Sequence, residues 1–360
     1  MSYAVEVPVR NIKRSRVLNI SSLVFGLIVL VAFLYYVGIG SVARILLSVD
    51  PVIIVGMVGL QLLSFVFYAT AWYLLIRAVG YRMRFLTCQE ITLASVFAVY
   101  TMPSGVFLEV ARCILGSRET GMKLGESTAT VILHRILYII GFLASTAFAL
   151  IALFGTGMMN RIVLAELAAI PVITIIGLII LLSLSFEPKR VGPLLNRILR
   201  FLQPIVRLVQ KEAKVEGKAD QFLDEYNLGF RRMISSKRQL ILSFVASLGD
   251  WGCSVTVLWV VLVSMGAQVS FWVVMITIAI GKMIQMTPIA IPGMIGVYEA
   301  AITTVLALFA VPVPVAASAA ILSRIVTVWL ELPITGVAAY HYGFKLLSDH
   351  TSNLPKATGA

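Results

Sequence analysis

The sequence is short of charge. Only 13% of its 360 residues are Asp, Glu, Lys or Arg, and 59% are hydrophobic. A soluble globular chain is about 25% charged and about 45–50% apolar, so water is not the solvent for most of this surface. Mean hydropathy is +0.97. Cysteine and histidine are scarce as well, with three of each. Cys88, Cys113 and Cys253 lie in or near apolar segments, with no CxxC pair and no histidine cluster beside them. That spacing supports neither a disulfide framework nor a metal site. No HExxH, GxSxG or Walker A string occurs, nor an aspartate pair on adjacent apolar runs. The common hydrolytic and nucleotide-binding chemistries therefore have no carrier, and the reading is of a non-enzyme that needs no cofactor.

What the sequence does have is apolar length. About 20 apolar residues cross a hydrocarbon core. These runs are too long for barrel strands, so the spans must be helices that close their own backbone hydrogen bonds. The expected fold class is an all-α integral membrane protein. Full spans are expected at 17–37, 52–77, 127–154, 162–186, 238–264 and 315–342. Arg10, Lys13, Arg14 and Arg16 precede the first, which reads as a retained helix rather than a cleaved signal. Two further apolar stretches are broken. Residues 86–123 are interrupted at Pro103-Ser104-Gly105, and 271–310 between Pro288 and Gly293.

Charge placement sets the topology. The net charge of +12 concentrates in the N-terminal arm, near Arg77, Arg82 and Arg84, and over 187–237. Basic loops beside spans are cytoplasmic and face anionic lipid headgroups, which makes nucleic acid a poor partner. Counting spans from these loops, stretch 86–123 starts and ends inside, and 271–310 starts and ends outside. Two hairpins then enter the bilayer from opposite faces, with both chain termini in the cytoplasm. An internal repeat agrees. The string ILHRI at 132–136 recurs as ILSRI 189 residues later; at that offset Pro103 falls on Pro292, Arg135 on Arg324 and Gln61 on Asp250. Inverted repeats with interrupted helices near the midplane are the architecture of secondary transporters. The expected organisation is a first membrane unit at 1–186 (repeat core 52–154, hairpin 86–123) and a cytoplasmic amphipathic linker at 187–237. A second, inverted unit follows at 238–345 (hairpin 271–310), then a loose tail at 346–360. Within the linker, the mixed-charge run from Lys211 to Glu225 is expected to be a solvated helix.

A charged side chain at a helix centre costs about 2.5–3.5 kcal/mol on insertion scales, so each one asks for a reason. Arg135 and Arg324 lie eight or nine residues into their spans. The nearest partners are Glu109 and Glu299, each just after a break. A structural ion pair and a ligand-facing charge both fit these arginines. The breaks carry Pro103, Gly105, Pro292, Gly293 and Gly296. Each starts a half-helix whose N-terminus has free N–H groups and a positive dipole end, suited to a phosphate. Arg112 and Lys282 are further cationic candidates, although Lys282 also suits snorkelling toward headgroups. Asp250 and Glu331 are additional carboxylates, and Glu331, seven residues after Arg324, belongs on the same helical face. His134 is expected to point away from Arg135 as hydrogen-bonded filling.

The strings PSGVFLEVAR (103–112), ESTATVILHRI (126–136), IPGMIGVYEAAI (291–302) and ILSRI resemble the lysylphosphatidylglycerol synthase transmembrane-region family, also described as flippase-like or UPF0104. The likeness runs over most of the chain and is strongest at Pro292, Gly293, Gly296 and Glu299. Glu109 and Arg112 match the first element, while Leu108 stands where the family carries glycine. The resemblance implies translocation of a membrane phospholipid or polyprenyl-phosphate-linked substrate, without the soluble synthase domain of the bifunctional members. Three functions are weighed: a flippase-like transporter, a membrane subunit or enzyme of lipid or lipid-linked glycan modification, and a non-transporting scaffold docking through 187–237. Assembly as a homo-oligomer stays open.

Overall fold

The computed structural model describes Val31, Tyr35 and residues 39–101, 106–155, 161–186, 218–286 and 294–352. The expected span at 17–37 lies almost wholly outside these residues. So do the breaks at Pro103-Ser104-Gly105 and Pro288–Gly293, linker residues 187–217 and the end of the tail.

The described residues are helical. In chain order the helices are α1 (Ile39–Leu47), α2 (Pro51–Val79), α3 (Phe85–Thr101), α4 (Val106–Thr120), α5 (Leu124–Gly155) and α6 (Arg161–Phe186). Then come α7 (Lys218–Ser235), α8 (Lys237–Ser264), α9 (Phe271–Met286), α10 (Val297–Leu308), α11 (Val313–Arg324) and α12 (Glu331–Ser352), the last two joined by a π turn at Ile325–Trp329. Among the described residues four helical stretches are long and apolar enough to cross a membrane: Pro51–Val79, Leu124–Gly155, Lys237–Ser264 and Val313–Gly343. On α6 the residues Val172, Ile175, Ile176, Ile179 and Ile180 form an exposed aliphatic stripe at helical spacing, a face made for lipid rather than water.

The chain divides into two compact units. The first takes Met1–Gly59, Ala94–Leu108 and Val255–Val337, and the second Leu60–Leu93, Glu109–Ser254 and Ala338–Ala360. In the first unit α9, α10, α11 and α1 pack together. Gly281 of α9 permits this approach, since a Cβ there would stand 2.6 Å from the Tyr298 ring and 2.8 Å from Ile302.

In the second unit α2 crosses α8. Ser64 donates a hydrogen bond to the Asp250 carboxylate, Phe67 lies against Gly249, Ser243 Oγ donates to Ala71 O at 2.8 Å, and Ser236 Oγ to Ala78 O at 3.3 Å. As one partner advances along the chain the other retreats, so the helices are antiparallel. Lipid provides no hydrophobic drive between spans, and small residues and hydroxyls are what hold such crossings.

At the basic end of this unit Glu126 is buried, and its carboxylate gathers three donors. These are Tyr81 OH at 2.7 Å, Arg232 Nη1 at 3.1 Å and the Lys123 backbone N–H at 3.4 Å. Bonding to Glu126 raises the Tyr81 hydroxyl above its ordinary pKa, so it stays a donor. Tyr81 precedes α3 and Glu126 follows α4, so the broken stretch leaves and returns at one place. The end of α12 reaches the same unit, where Tyr342 OH donates to Glu119 at 3.1 Å and His341 pairs with Glu90.

Helix α7 departs from the expectation of a solvated connector. Leu223, Tyr226, Phe230 and Met233 are buried, the last three of them against Leu75, Leu133, Ile136 and Leu137. Burying each such side chain away from water contributes about 1.5–3 kcal/mol. The spacing of these four was readable as one apolar stripe, but the surrounding charges masked it. Burial pushes the Tyr226 hydroxyl up to about 12, and it donates to Ser185 Oγ at 2.9 Å. Backbones meet closely here, because a Cβ on Gly125 would lie 2.5 Å from the Phe222 carbonyl oxygen. Gly125→Ala should therefore separate α7 from α5 and cost about 1–3 kcal/mol. Thermal unfolding of the purified protein checks this, and an unchanged midpoint would refute the close contact.

Candidate functional site

Each expected arginine meets a carboxylate from just beyond its break, and the two meetings differ. In the second unit, Glu109 lies in the first turn of α4 and Arg112 one turn on. Arg135 and His134 come from α5, where Arg135 sits about 17 Å along the axis from the helix start. Glu109 is shared: Oε2 lies 3.4 Å from Arg112 Nη1, and Oε1 lies 3.8 Å from Arg135 Nε. Arg112 is wholly buried, whereas the Glu109 and Arg135 side chains are 19% and 34% exposed.

Arg112 is also gripped from other sides. Its Nη1 donates to Tyr68 OH at 3.1 Å, and its Nη2 lies 3.0 Å from His134 Nδ1. Its guanidinium sits over the Trp72 ring at 4.5 Å and the Tyr68 ring at 5.1 Å, a cation–π arrangement. Trp72 is itself fixed by Nε1 donating to Thr130 Oγ1 at 3.0 Å. A guanidinium only donates, so His134 Nδ1 accepts and its proton sits on Nε2. His134 is thus hydrogen-bonded to Arg112. Two donors in this cluster, Arg112 Nε and His134 Nε2, are buried without an acceptor among the described residues. Two guanidiniums against one carboxylate leave the group one positive charge in excess.

In the first unit the pair is closed. Arg324 Nε donates to Glu299 Oε1 at 3.0 Å, and the two side chains are only 5% and 6% exposed. Arg324 lies over the Tyr298 ring at 4.7 Å. Glu299, third residue of α10, turns back so that its Oε2 accepts the Gly296 N–H at 2.7 Å. Gly296 holds φ 82, a left-handed conformation that glycine takes without strain. The half-helix end expected to face an anion is therefore occupied by the helix's own carboxylate, as in a capping box.

The remaining candidates are dispersed. Lys282 is half-buried on α9, Asp250 holds the α2–α8 crossing, and Glu331 is half-buried at the start of α12. The π turn at Ile325–Trp329 separates Arg324 from Glu331. Its extra residue shifts the face, so the seven-residue spacing that placed both on one side does not apply. Pro103, Gly105, Pro292 and Gly293 lie outside the described residues. Tyr68, Trp72 and Tyr298 were not singled out in the sequence. The four-residue spacing of Tyr68 and Trp72 was the available signal, but aromatic pairs at that spacing are ordinary in apolar helices.

Fold and buried charges together define a helical multi-pass membrane protein. Residues 19–334 match the family described as the lysylphosphatidylglycerol synthase TM region, and the chain belongs to that family. It is 22% identical over 352 residues to a UPF0104 membrane protein of Methanothermobacter thermautotrophicus, covering 94% of this chain and 97% of that one. It is 21% identical over 319 residues to a UPF0104 membrane protein of Pyrococcus horikoshii, covering 88% and 94% respectively.

Removing the charge of Glu299 takes the buried carboxylate away from the Arg324 guanidinium. Glu299→Gln should cost about 3–5 kcal/mol. A fall of the unfolding midpoint in detergent checks this; a midpoint equal to the wild type's would show that the pair holds nothing.

Proposed function

We propose that this protein is a flippase-like transporter that moves an anionic, phosphate-bearing lipid or lipid-linked sugar headgroup across a prokaryotic cell membrane. The observation that carries the reading is the Glu109–Arg112–Arg135–His134 cluster. It is a net-positive group with spare N–H donors, set beside a Pro-Gly break in an apolar fold. An arginine with 34% of its side chain exposed at that depth cannot face hydrocarbon cheaply, so its open side belongs to a polar ligand or a wet path. Headgroup oxygens complete the spare donors while the acyl or prenyl tail stays in lipid.

In this reading the two broken stretches enter the bilayer as opposed hairpins, and the basic end of the second unit, with both termini, faces the cytoplasm. The shared base of α3 and α4 at Tyr81 and Glu126 supports the first hairpin. The antiparallel α2–α8 crossing supports the inversion. Family membership supports a lipid-related role.

The test is reconstitution in vesicles carrying headgroup-labelled phosphatidylglycerol or a labelled polyprenyl phosphate. Transbilayer movement should exceed that of empty vesicles. Arg135→Ala should slow it by about tenfold or more, as loss of about 1.4 kcal/mol or more of headgroup attraction implies, with an unchanged unfolding midpoint. Movement no faster than in empty vesicles for either lipid would end the transport reading.

A further inference from the structure

We propose that Glu109 is an internal placeholder, its carboxylate lying where the phosphate of a bound lipid sits and being displaced when that phosphate binds. The inference rests on the transporter reading for the identity of the anion, and on geometry for the displacement.

The sequence gives each unit a carboxylate after its break, but only one of them is loosely held. Charge-assisted N–H···O bonds measure about 2.7–2.9 Å. Glu299 is close to that range with both oxygens, at 3.0 Å and 2.7 Å, and is enclosed. Glu109 spans two guanidiniums at 3.4 Å and 3.8 Å, each longer than such a bond, and keeps 19% of its side chain exposed. Its departure does not release Arg112, which remains fixed by Tyr68, His134 and Trp72. The binding surface therefore survives the loss of the carboxylate, as displacement requires.

The spare donors give the second, independent sign. Arg112 Nε and His134 Nε2 are buried without acceptors among the described residues, and a buried donor left unmade costs about 1–3 kcal/mol. A carboxylate offers two oxygens in one plane. A phosphate offers its oxygens in a tetrahedron and so presents more acceptors than a carboxylate to the Arg112 and Arg135 guanidiniums that Glu109 meets at 3.4 Å and 3.8 Å. An incoming phosphate monoanion also restores the charge balance that Glu109 supplies, so exchange leaves the cluster's net charge unchanged. Glu109, freed toward its exposed side, can return and expel the ligand, which gives release without a proton or a metal.

The experiment measures binding and flux separately. Full-length protein in detergent is titrated calorimetrically with dihexanoyl phosphatidylglycerol, with inorganic phosphate, and with dihexanoylglycerol as the neutral control. Glu109→Gln should bind the phosphate-bearing probe about tenfold tighter than wild type, the low end for removing a close like-charge competitor. Glu109→Asp keeps the charge but cannot reach both guanidiniums, and should fall between. Glu299→Gln should lower the unfolding midpoint and show no tightening. The phosphate and lipid arms tell whether the anion recognised is free or lipid-borne; tightening in either supports displacement. Affinity of Glu109→Gln equal to or below wild type overturns the proposal. So does a loss of unfolding midpoint matching that of Glu299→Gln, or absence of binding of both phosphate-bearing probes by every variant. Tightened binding without vesicle flux removes the transporter reading and leaves the placeholder. Flux with unchanged affinity removes the placeholder alone.

Discussion

A guanidinium cannot be left alone in an apolar fold. Its desolvation is tolerable only when a carboxylate, hydrogen-bond acceptors or aromatic faces replace water. This chain meets that demand twice, once for Arg324 and once for the pair Arg112 and Arg135. Much of its local architecture follows from how. The left-handed Gly296 brings Glu299 back onto its own helix end and onto Arg324. The aromatic residues of α2 and the histidine of α5 enclose Arg112.

The same chemical pair behaves differently at the two positions because of stoichiometry and access. One carboxylate against one guanidinium, buried and bonded with both oxygens, is a neutral fastener. One carboxylate divided between two guanidiniums at longer range is a charged site with spare valence. The chain belongs to the family described as the lysylphosphatidylglycerol synthase TM region, and the cluster of the second unit is the one proposed above to receive a phosphate-bearing headgroup.

Outside the spans a different force operates. Helix α7 docks through Tyr226, Phe230 and Met233, using the hydrophobic effect that is unavailable between spans in lipid. The close approach at Gly125 then brings Arg232 to Glu126, so a segment that looks like a linker becomes part of the second unit.

The sequence alone determined the class. Scarce charge with long apolar runs excludes water as solvent, and helices are the only backbone that such runs permit. It also singled out the rare intramembrane charges, since each is too costly to be incidental, and the repeat that relates Arg135 to Arg324. What it could not decide was partnership. His134 was read as facing away, because adjacent helical residues diverge by about 100° and nothing in the string says that Arg112 of another helix waits on that side. Glu331 was assigned to the Arg324 face by counting, and a π turn invalidated the count. The open and closed states of two similar pairs depend on distances of an ångström or less between helices. Those distances are set by packing at glycines and aromatic rings far apart in the chain, so only the tertiary structure could fix them.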